Sequence, residues 1–309
     1  MSTAPEPLCL LDGQIVALAE ARISPLDRGF LFGDAVYEAV KVVSGELLFL
    51  ERHSRRLAAS LAALSIPQPR ALAADLRRLV VASRLGAGVV YLQVTRGAAP
   101  RRSHRPPPGL TPTVFALPIA IDFPAHPERE PGLVAITRRD DRWRHCDVKT
   151  TALAASVLAA LAGARAGADE ALFVGDQGEL REGAHTNLFV RDERGWHTHP
   201  LGPQVLAGVT RAILLEEAGR SAPAESDQAA QGAEDEPLPA VEERAPRLER
   251  RADWREAFVC GTTTGVRGIV EVDGAAVGDR AVGPETRRFA LALARLERAA
   301  AARGKAEAR

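Results

Sequence analysis

The sequence predicts an α/β protein of two domains, a small α+β domain over residues 1–122 and a larger α/β domain over 132–309. Three observations lead there. The chain's 309 residues are more than one ordinary domain needs. Strand-like runs alternate with segments of helical period along the whole length. Between the halves, Pro118, Pro124, Pro127 and Pro131 punctuate a stretch with few periodic apolar positions, which marks 123–131 as a linker.

The first domain opens with a strand over Gln14–Leu18. Val36 to Val43 alternate, and Ser44-Gly45 turns the chain into Leu47–Leu50 as a hairpin. Leu57, Leu61 and Leu64 recur at helical spacing within Glu51–Leu64. Ala71–Leu85 is a second amphipathic helix, closed by Gly86. Val89–Thr95 and Thr113–Ile121 follow as strands. In the larger domain the pattern predicts strands at Leu133–Thr137, Glu170–Val174, Asn187–Arg191, Glu256–Cys260 and Gly265–Val272. Helices are predicted at Ala152–Arg165, Val209–Glu217 and from Pro284 onward. Residues 221–237, SAPAESDQAAQGAEDEP, carry too little apolar surface to offset the entropy of ordering them, and read as a disordered surface loop.

Composition excludes several classes of function. With 46% apolar residues and 5% aromatics, the core must be mainly aliphatic. Basic and acidic residues balance at 40 each, so no net field draws in nucleic acid or an anionic membrane. Cys9, Cys146 and Cys260 are far apart, as expected of reduced thiols in a cytoplasmic protein. The N-terminus MSTAPEPLCLLDG lacks the basic flank and long apolar stretch of an export signal. The longest uncharged, apolar-looking stretch, Thr150–Ala164, is dominated by alanine and falls short of the about 20 residues that cross a bilayer.

Only three of the 40 basic residues are lysines: Lys41, Lys149 and Lys305. A position that keeps Lys where arginine is the habit either survives by chance or needs an amine that can lose its proton, which guanidinium does not do. Lys305 lies in a polar tail. Lys41 reads as structural. Lys149, in HCDVKTTALAA, sits between a strand-like segment and a helix. On spacing alone it is either an ordinary salt-bridging lysine, with Asp147 near, or an amine aimed into a cleft and able to condense with an aldehyde. Glu182, after the turn in GELREGAHTNLFV, is either a solvated loop residue or a carboxylate for a ring nitrogen. Gly208-Val209-Thr210 opens a helix whose free N–H groups suit an anion, and Gly261-Thr262-Thr263-Thr264 offers hydroxyls after a strand. Each of these patterns is common. His197 and His199 alternate on a strand without a third ligand, so a solvated strand face is expected rather than a metal.

Seven segments in order are more specific than any one of them. LDRGFLFGDAVYEAVKV, ERHSRRLAAS, YLQVTRGAAP, RWRHCDVKTTALAA, EALFVGDQGELREGAHTNLF, LAGVTR and EAFVCGTTTGV run from about Ile15 to Val272. In that order the chain resembles the class IV, fold-type IV aminotransferases that use pyridoxal 5'-phosphate (PLP), most nearly those acting on D-amino acids. The resemblance implies PLP at the domain junction, a homodimer, and small amino and keto acids as substrates. Lys149 matches the Schiff-base lysine and Glu182 the carboxylate on the pyridine nitrogen. Arg56, Val209, Thr210, Thr262 and Thr263 match phosphate-holding positions, with Gly261 beside them. Leu206 matches the apolar residue packed on the cofactor ring, and Tyr37 a tyrosine lining the substrate pocket. Arg102 and His104 match a pair that binds the substrate α-carboxylate.

The chain also departs from the pattern. An extra residue in RGAAPRRSHRPP leaves open whether Arg101 or Arg102 serves. Residues 221–237 look inserted, Val266-Arg267-Gly268 stands where relatives usually have a proline, and His185 replaces a small residue. Other reactions of the same family remain open: branched-chain L-aminotransferase, amine transaminase and aminodeoxychorismate lyase. So do a non-enzymatic binding protein, which the presence of both Lys149 and Glu182 opposes, and a nucleic-acid binder, which the zero net charge opposes.

Overall fold

The computed structural model describes residues 6–220 and 237–307, and its contacts divide the chain into two units. One holds the chain up to Phe123, together with Val148–Leu153 and the stretch from Arg298. The other holds Pro124–Asp147 and Ala154–Glu297. The linker read at 123–131 marks only the first crossing. Val148–Leu153, assigned from sequence to the larger domain, packs with the first unit because Val148 is buried in that unit's apolar core. Residues 221–236 of the segment read as a disordered loop lie outside the described residues.

The first unit is a six-stranded sheet with every pairing antiparallel. Its strands are β1 (Leu8–Leu11), β2 (Gln14–Ala17), β3 (Ala35–Val43), β4 (Glu46–Leu47), β5 (Ala87–Thr95) and β6 (Val114–Ala120), in the order β2-β1-β6-β5-β3-β4. A short helix α1 (Arg28–Phe32) precedes β3, and α2 (Leu50–Ala63) and α3 (Leu72–Ser83) follow the β3–β4 hairpin. Leu57 and Leu61 of α2, with Leu76, Leu79 and Val80 of α3, supply the apolar faces that cover the sheet. Val36, Val40 and Val42 alternate along β3 as buried residues, and Glu38 falls on the same alternation. Sequence reading missed β1 and α1, which are short.

The second unit is a nine-stranded mixed sheet. It comprises β7 (Leu133–Arg139), β8 (Glu170–Val174), β9 (Leu180–Gly183), β10 (Asn187–Asp192), β11 (Gly195–Thr198), β12 (Val241–Glu243), β13 (Glu256–Gly261), β14 (Gly265–Val272) and β15 (Ala275–Ala276). The path runs β12-β11-β10-β13-β14-β7-β8-β9, and β9 pairs again with β10. That last pairing, Asn187 opposite Glu182, closes β10, β13, β14, β7, β8 and β9 into a barrel-like ring. The β7–β8 pair is parallel, and the crossover between them carries α4 (Ala154–Arg165). Helices α5 (Val209–Ala218) and α6 (Pro284–Glu307) complete the elements. Among the described residues no helix is long and apolar enough to cross a membrane.

Aliphatic side chains dominate both cores, as the composition predicts. Four of the few aromatics form a cluster in the second unit. Phe258 stacks on Phe189 at 4.7 Å between ring centres, with Phe289 at 5.0 Å and Trp196 at 5.1 Å. Phe189, Phe258 and Phe289 are fully buried. The cluster joins α6 to β10, β11 and β13, so Phe258→Ala should leave a cavity touching four elements. We expect a loss of about 3–5 kcal/mol in unfolding free energy, measured by urea denaturation. A loss below about 1 kcal/mol would mean that the site repacks.

Candidate active site

Three groups of polar residues bear on the site, two in the first unit and one in the second. Lys149 lies in an extended segment stitched to β3. Its carbonyl accepts from the Tyr37 N–H at 3.0 Å, Thr150 bridges Val36, and the Lys149 N–H donates to Ser60 Oγ at 3.1 Å. Its Nζ stands 4.2 Å from the centre of the Tyr37 ring. Tyr37 in turn packs on Tyr91, with ring centres 5.7 Å apart. Burial, helped by Tyr37, raises the Tyr91 hydroxyl to about 12.

Next to this lysine a carboxylate is buried. Glu38, 1% exposed, accepts from Arg56 through both oxygens, Nε to Oε1 and Nη2 to Oε2, each at 2.8 Å. His53 Nδ1 lies 2.7 Å from Oε2. Burial alone would raise the Glu38 pKa. The Arg56 fork, with His53 assisting, overcomes it and holds the group at about 2. Burial lowers the basicity of His53, and the charges of Arg56 and Lys149 lower it further, against the pull of Glu38. Lys149, Tyr37 and Arg56, picked from sequence, therefore lie in one neighbourhood of the first unit. Arg102 and His104 lie on an exposed loop of the same unit, against α1.

In the second unit Glu182, 4% exposed, sits where β9 meets β10. Arg142 Nη1 donates to its Oε1 at 2.6 Å. Asn187 Nδ2 and the Leu206 N–H donate to Oε2 at 3.0 and 2.9 Å. Arg142 also forks onto Asp140 with two bonds of 2.9 Å, and its guanidinium lies 4.1 Å from the Phe173 ring centre. Burial works against these charges, but the bonds from Arg142 and Arg181 keep the Asp140 pKa low.

Asn187 ties Glu182 to the start of α5. Its Nδ2 donates to the Leu206 carbonyl as well, and a Cβ on Gly208 would lie 1.9 Å from its Oδ1. Only glycine allows that approach. Gly208 caps α5 without a side-chain acceptor, and Val209 and Thr210 form the first turn. The Thr262–Thr264 turn follows the end of β13, whose Cys260 pairs with Asn187. Glu182, Leu206, Gly208 and the threonine turn are thus grouped around one end of the ring of strands.

A PLP molecule needs an amine for its aldehyde, an acid for its ring nitrogen, and N–H groups, hydroxyls and a cation for its phosphate. Each unit by itself carries groups of that kind: the first the amine of Lys149 and the guanidinium of Arg56, the second the carboxylate of Glu182, the N–H groups of the first turn of α5 and the hydroxyls of the threonine turn. In chemical type the residues present fit the group.

A family model described as amino-transferase class IV matches residues 35–272. This chain belongs to the class IV aminotransferases. A D-alanine aminotransferase of Bacillus licheniformis is 33% identical over 290 residues, covering 92% of this chain and 95% of that one. A second D-alanine aminotransferase, from Staphylococcus haemolyticus, is 31% identical over 284 residues, covering 90% and 94%. Among solved structures, a branched-chain amino acid aminotransferase of Escherichia coli has a TM-score of 0.78 at 21% identity, covering 94% of each chain. The fold of this class IV aminotransferase is therefore the fold-type IV architecture expected from the motif order.

Several polar residues of this aminotransferase escaped sequence reading. Glu38, His53, Arg142 and Asn187 lie inside the matching segments but were given no role there, and Asp140 lies outside them. One signal was present: Glu38 is a charge at an inward position of an apolar strand, which has to be paired. One expectation is corrected. His197 is not on a solvated face; it is 1% exposed, with Asp192 Oδ2 3.9 Å from its Nε2. Among the described residues no group of three or more His, Cys, Asp or Glu is placed to hold a metal.

The Glu38 cluster has a pH signature. Its folded pKa lies below the ordinary 4.5, so the stability it contributes is present above pH 4.5 and is lost as pH falls toward 2. A shift of that size is worth about 3 kcal/mol. Glu38→Gln should lower stability at pH 7 by roughly that amount, and the gap to wild type should narrow steadily below pH 4.5. Denaturation at a series of pH values checks it; a constant gap would refute the linkage.

Proposed function

We propose that this chain is a PLP-dependent aminotransferase that moves an amino group from a D-amino acid such as D-alanine to a 2-keto acid. The observation that carries the reading is the 33% identity to a D-alanine aminotransferase along nearly the full length of both chains. Bound PLP supplies an electron sink for the substrate α-carbon. The residues of the chain do the rest. Lys149 would hold the cofactor through its amine and would carry a proton from the substrate α-carbon. Glu182, held by Arg142, Asn187 and the Leu206 N–H, keeps the ring nitrogen protonated. Arg56, Val209, Thr210, Thr262 and Thr263 hold the phosphate, and Leu206 packs on the ring. The reaction runs as two half-reactions with ping-pong kinetics.

Arg102, His104 and Tyr37 bind the α-carboxylate in this reading. Proton transfer by Lys149 takes place on one face of the cofactor, so the position of the carboxylate decides which enantiomer presents its α-hydrogen. Arg102 rather than Arg101 is the better candidate, because its guanidinium is held over the Phe32 ring. A homodimer accompanies this reading, supported by Val157, Leu158 and Leu161, which α4 leaves exposed. So does a reducing, cytoplasmic location, supported by three free, buried cysteines.

Two experiments test these assignments. Borohydride reduction of the PLP-loaded protein should tag the peptide containing Lys149, and Lys149→Ala should abolish turnover; a tag on Lys41 or Lys305 would overturn the assignment. Arg102→Ala should leave the cofactor absorbance intact and remove a charge-assisted contact worth about 1.5–3 kcal/mol. That is roughly a ten- to hundredfold fall in kcat/KM for D-alanine, with Arg101→Ala as control. A wild type that prefers L-leucine, a carboxylate-free amine or aminodeoxychorismate would replace the D-amino-acid reading with one of the other class IV reactions.

A further inference from the structure

The loop carrying Arg102 and His104 is held by a helix of five residues. Asp27 caps α1: its Oδ1 accepts from the Gly29 N–H at 2.8 Å, and its Oδ2 accepts from Thr95 and Thr113 hydroxyls at 2.9 and 2.8 Å. A Cβ on Gly29 would lie 2.5 Å from Thr95 Cγ2, so the glycine lets α1 sit directly on the end of β5. The Arg28 N–H donates to the Gly97 carbonyl at 3.0 Å. The helix is short, yet its position on the sheet is fixed at several points.

It presents Arg28 and Phe32 four residues apart, hence on one face. Arg28 is 4% exposed and uses its guanidinium in three directions. Nε donates to Asp34 at 2.8 Å, Nη1 to the Ser103 carbonyl at 2.5 Å, and Nη2 to the His104 carbonyl at 2.9 Å. Asp34 is itself forked by Arg96. These bonds grip the loop backbone between Arg102 and His104. Phe32 addresses its side chains. The Arg102 guanidinium carbon is 4.9 Å from the Phe32 ring centre, and the His104 ring centre is 5.3 Å away. Arg28 lies 4.8 Å from the same ring.

An exposed arginine samples many rotamers, and binding a carboxylate with it costs the entropy of choosing one. A guanidinium resting on an aromatic face loses part of that freedom before the ligand arrives. We propose that Phe32 and Arg28 are positioning residues for the substrate carboxylate: Phe32 orients Arg102 and His104, and Arg28 fixes the backbone that carries them. The proposal rests on the reading that Arg102 binds the α-carboxylate, and it assigns neither residue a contact with substrate.

A residue that acts through the anchor changes binding of a carboxylate and little else. The test uses the PLP-loaded enzyme, D-alanine as substrate and propionate as a carboxylate probe inhibiting D-alanine turnover. Phe32→Leu should raise the KM for D-alanine and the propionate inhibition constant together, by roughly two- to fivefold. Its kcat and cofactor absorbance should stay within about twofold. Arg28→Met should raise the same two constants by roughly tenfold. Phe32→Tyr keeps the ring and should restore wild-type constants. If Arg102→Ala weakens propionate while Phe32→Leu does not, the positioning role is overturned and the anchor stands. If Arg102→Ala weakens neither ligand, the anchor reading fails and takes the proposal with it. A Phe32→Leu enzyme with lower kcat or lost cofactor absorbance but unchanged propionate binding assigns the ring to the fold, and also overturns the proposal.

Discussion

The pairing of Glu182 with Asn187 is the contact on which the second unit turns. It joins the last strand of the path to the middle of the sheet and so closes the ring. The same two side chains are hydrogen-bonded to each other, and both are bonded to Leu206, Glu182 through its N–H and Asn187 through its carbonyl. Closure and site construction are therefore one event. A carboxylate at such a seam is fixed by backbone register on two strands rather than by its own rotamer preference. The glycine at the cap of α5 follows from this geometry, because Asn187 occupies the space a Cβ would take. Replacing Asn187 would disturb the seam and the helix start together.

Charge is buried on both units in the same manner. Glu182, Arg142, Asp140, Arg181 and Glu179 alternate in sign, each bonded to the next at 3.0 Å or less. Glu38 is enclosed by Arg56 and His53. Buried ion pairs seldom add net stability over a packed apolar alternative, since desolvation consumes most of the attraction. Their benefit here is geometric. A forked arginine has a fixed plane and fixed bond directions, so each carboxylate it holds is oriented as well as neutralised. Breaking one member leaves its partner charged and buried, which is the costly outcome.

Much of this was legible in the sequence, for physical reasons that also explain the rest. Glu170–Val174, Gly265–Val272 and the start of the last helix at Pro284 fall where the pattern places them, because turns and a proline bound them sharply. Short elements were lost: α1 and β1 are too brief for periodicity to register. Motif order drew attention to Lys149 and Glu182 but not to Arg142 and Asn187 in the same segments, since their bonds to Glu182 exist only once the chain has folded. His197 was misplaced because alternation says which residues share a face of a strand, and nothing about what covers that face. The membership of Val148–Leu153 was hidden for a similar reason. A linear division cannot show a crossover that leaves one unit, contributes six residues to the other and returns.

That excursion has a consequence for the lysine within it. A lysine side chain is a flexible four-carbon stem, and an amine at its tip is placed well only if the stem begins from a fixed point. Val148 on one side is buried in the apolar core, and Thr150 on the other bridges Val36 and donates through Oγ1 to the Ala35 carbonyl at 3.1 Å. Between them the Lys149 N–H and carbonyl are both bonded, to Ser60 and to Tyr37. The backbone at the residue is thus held on both sides, and the side chain leaves it to lie over the Tyr37 ring. In the proposed reaction the amine holds a group, releases it and moves a proton a short distance, and a fixed origin for its stem is what such work requires.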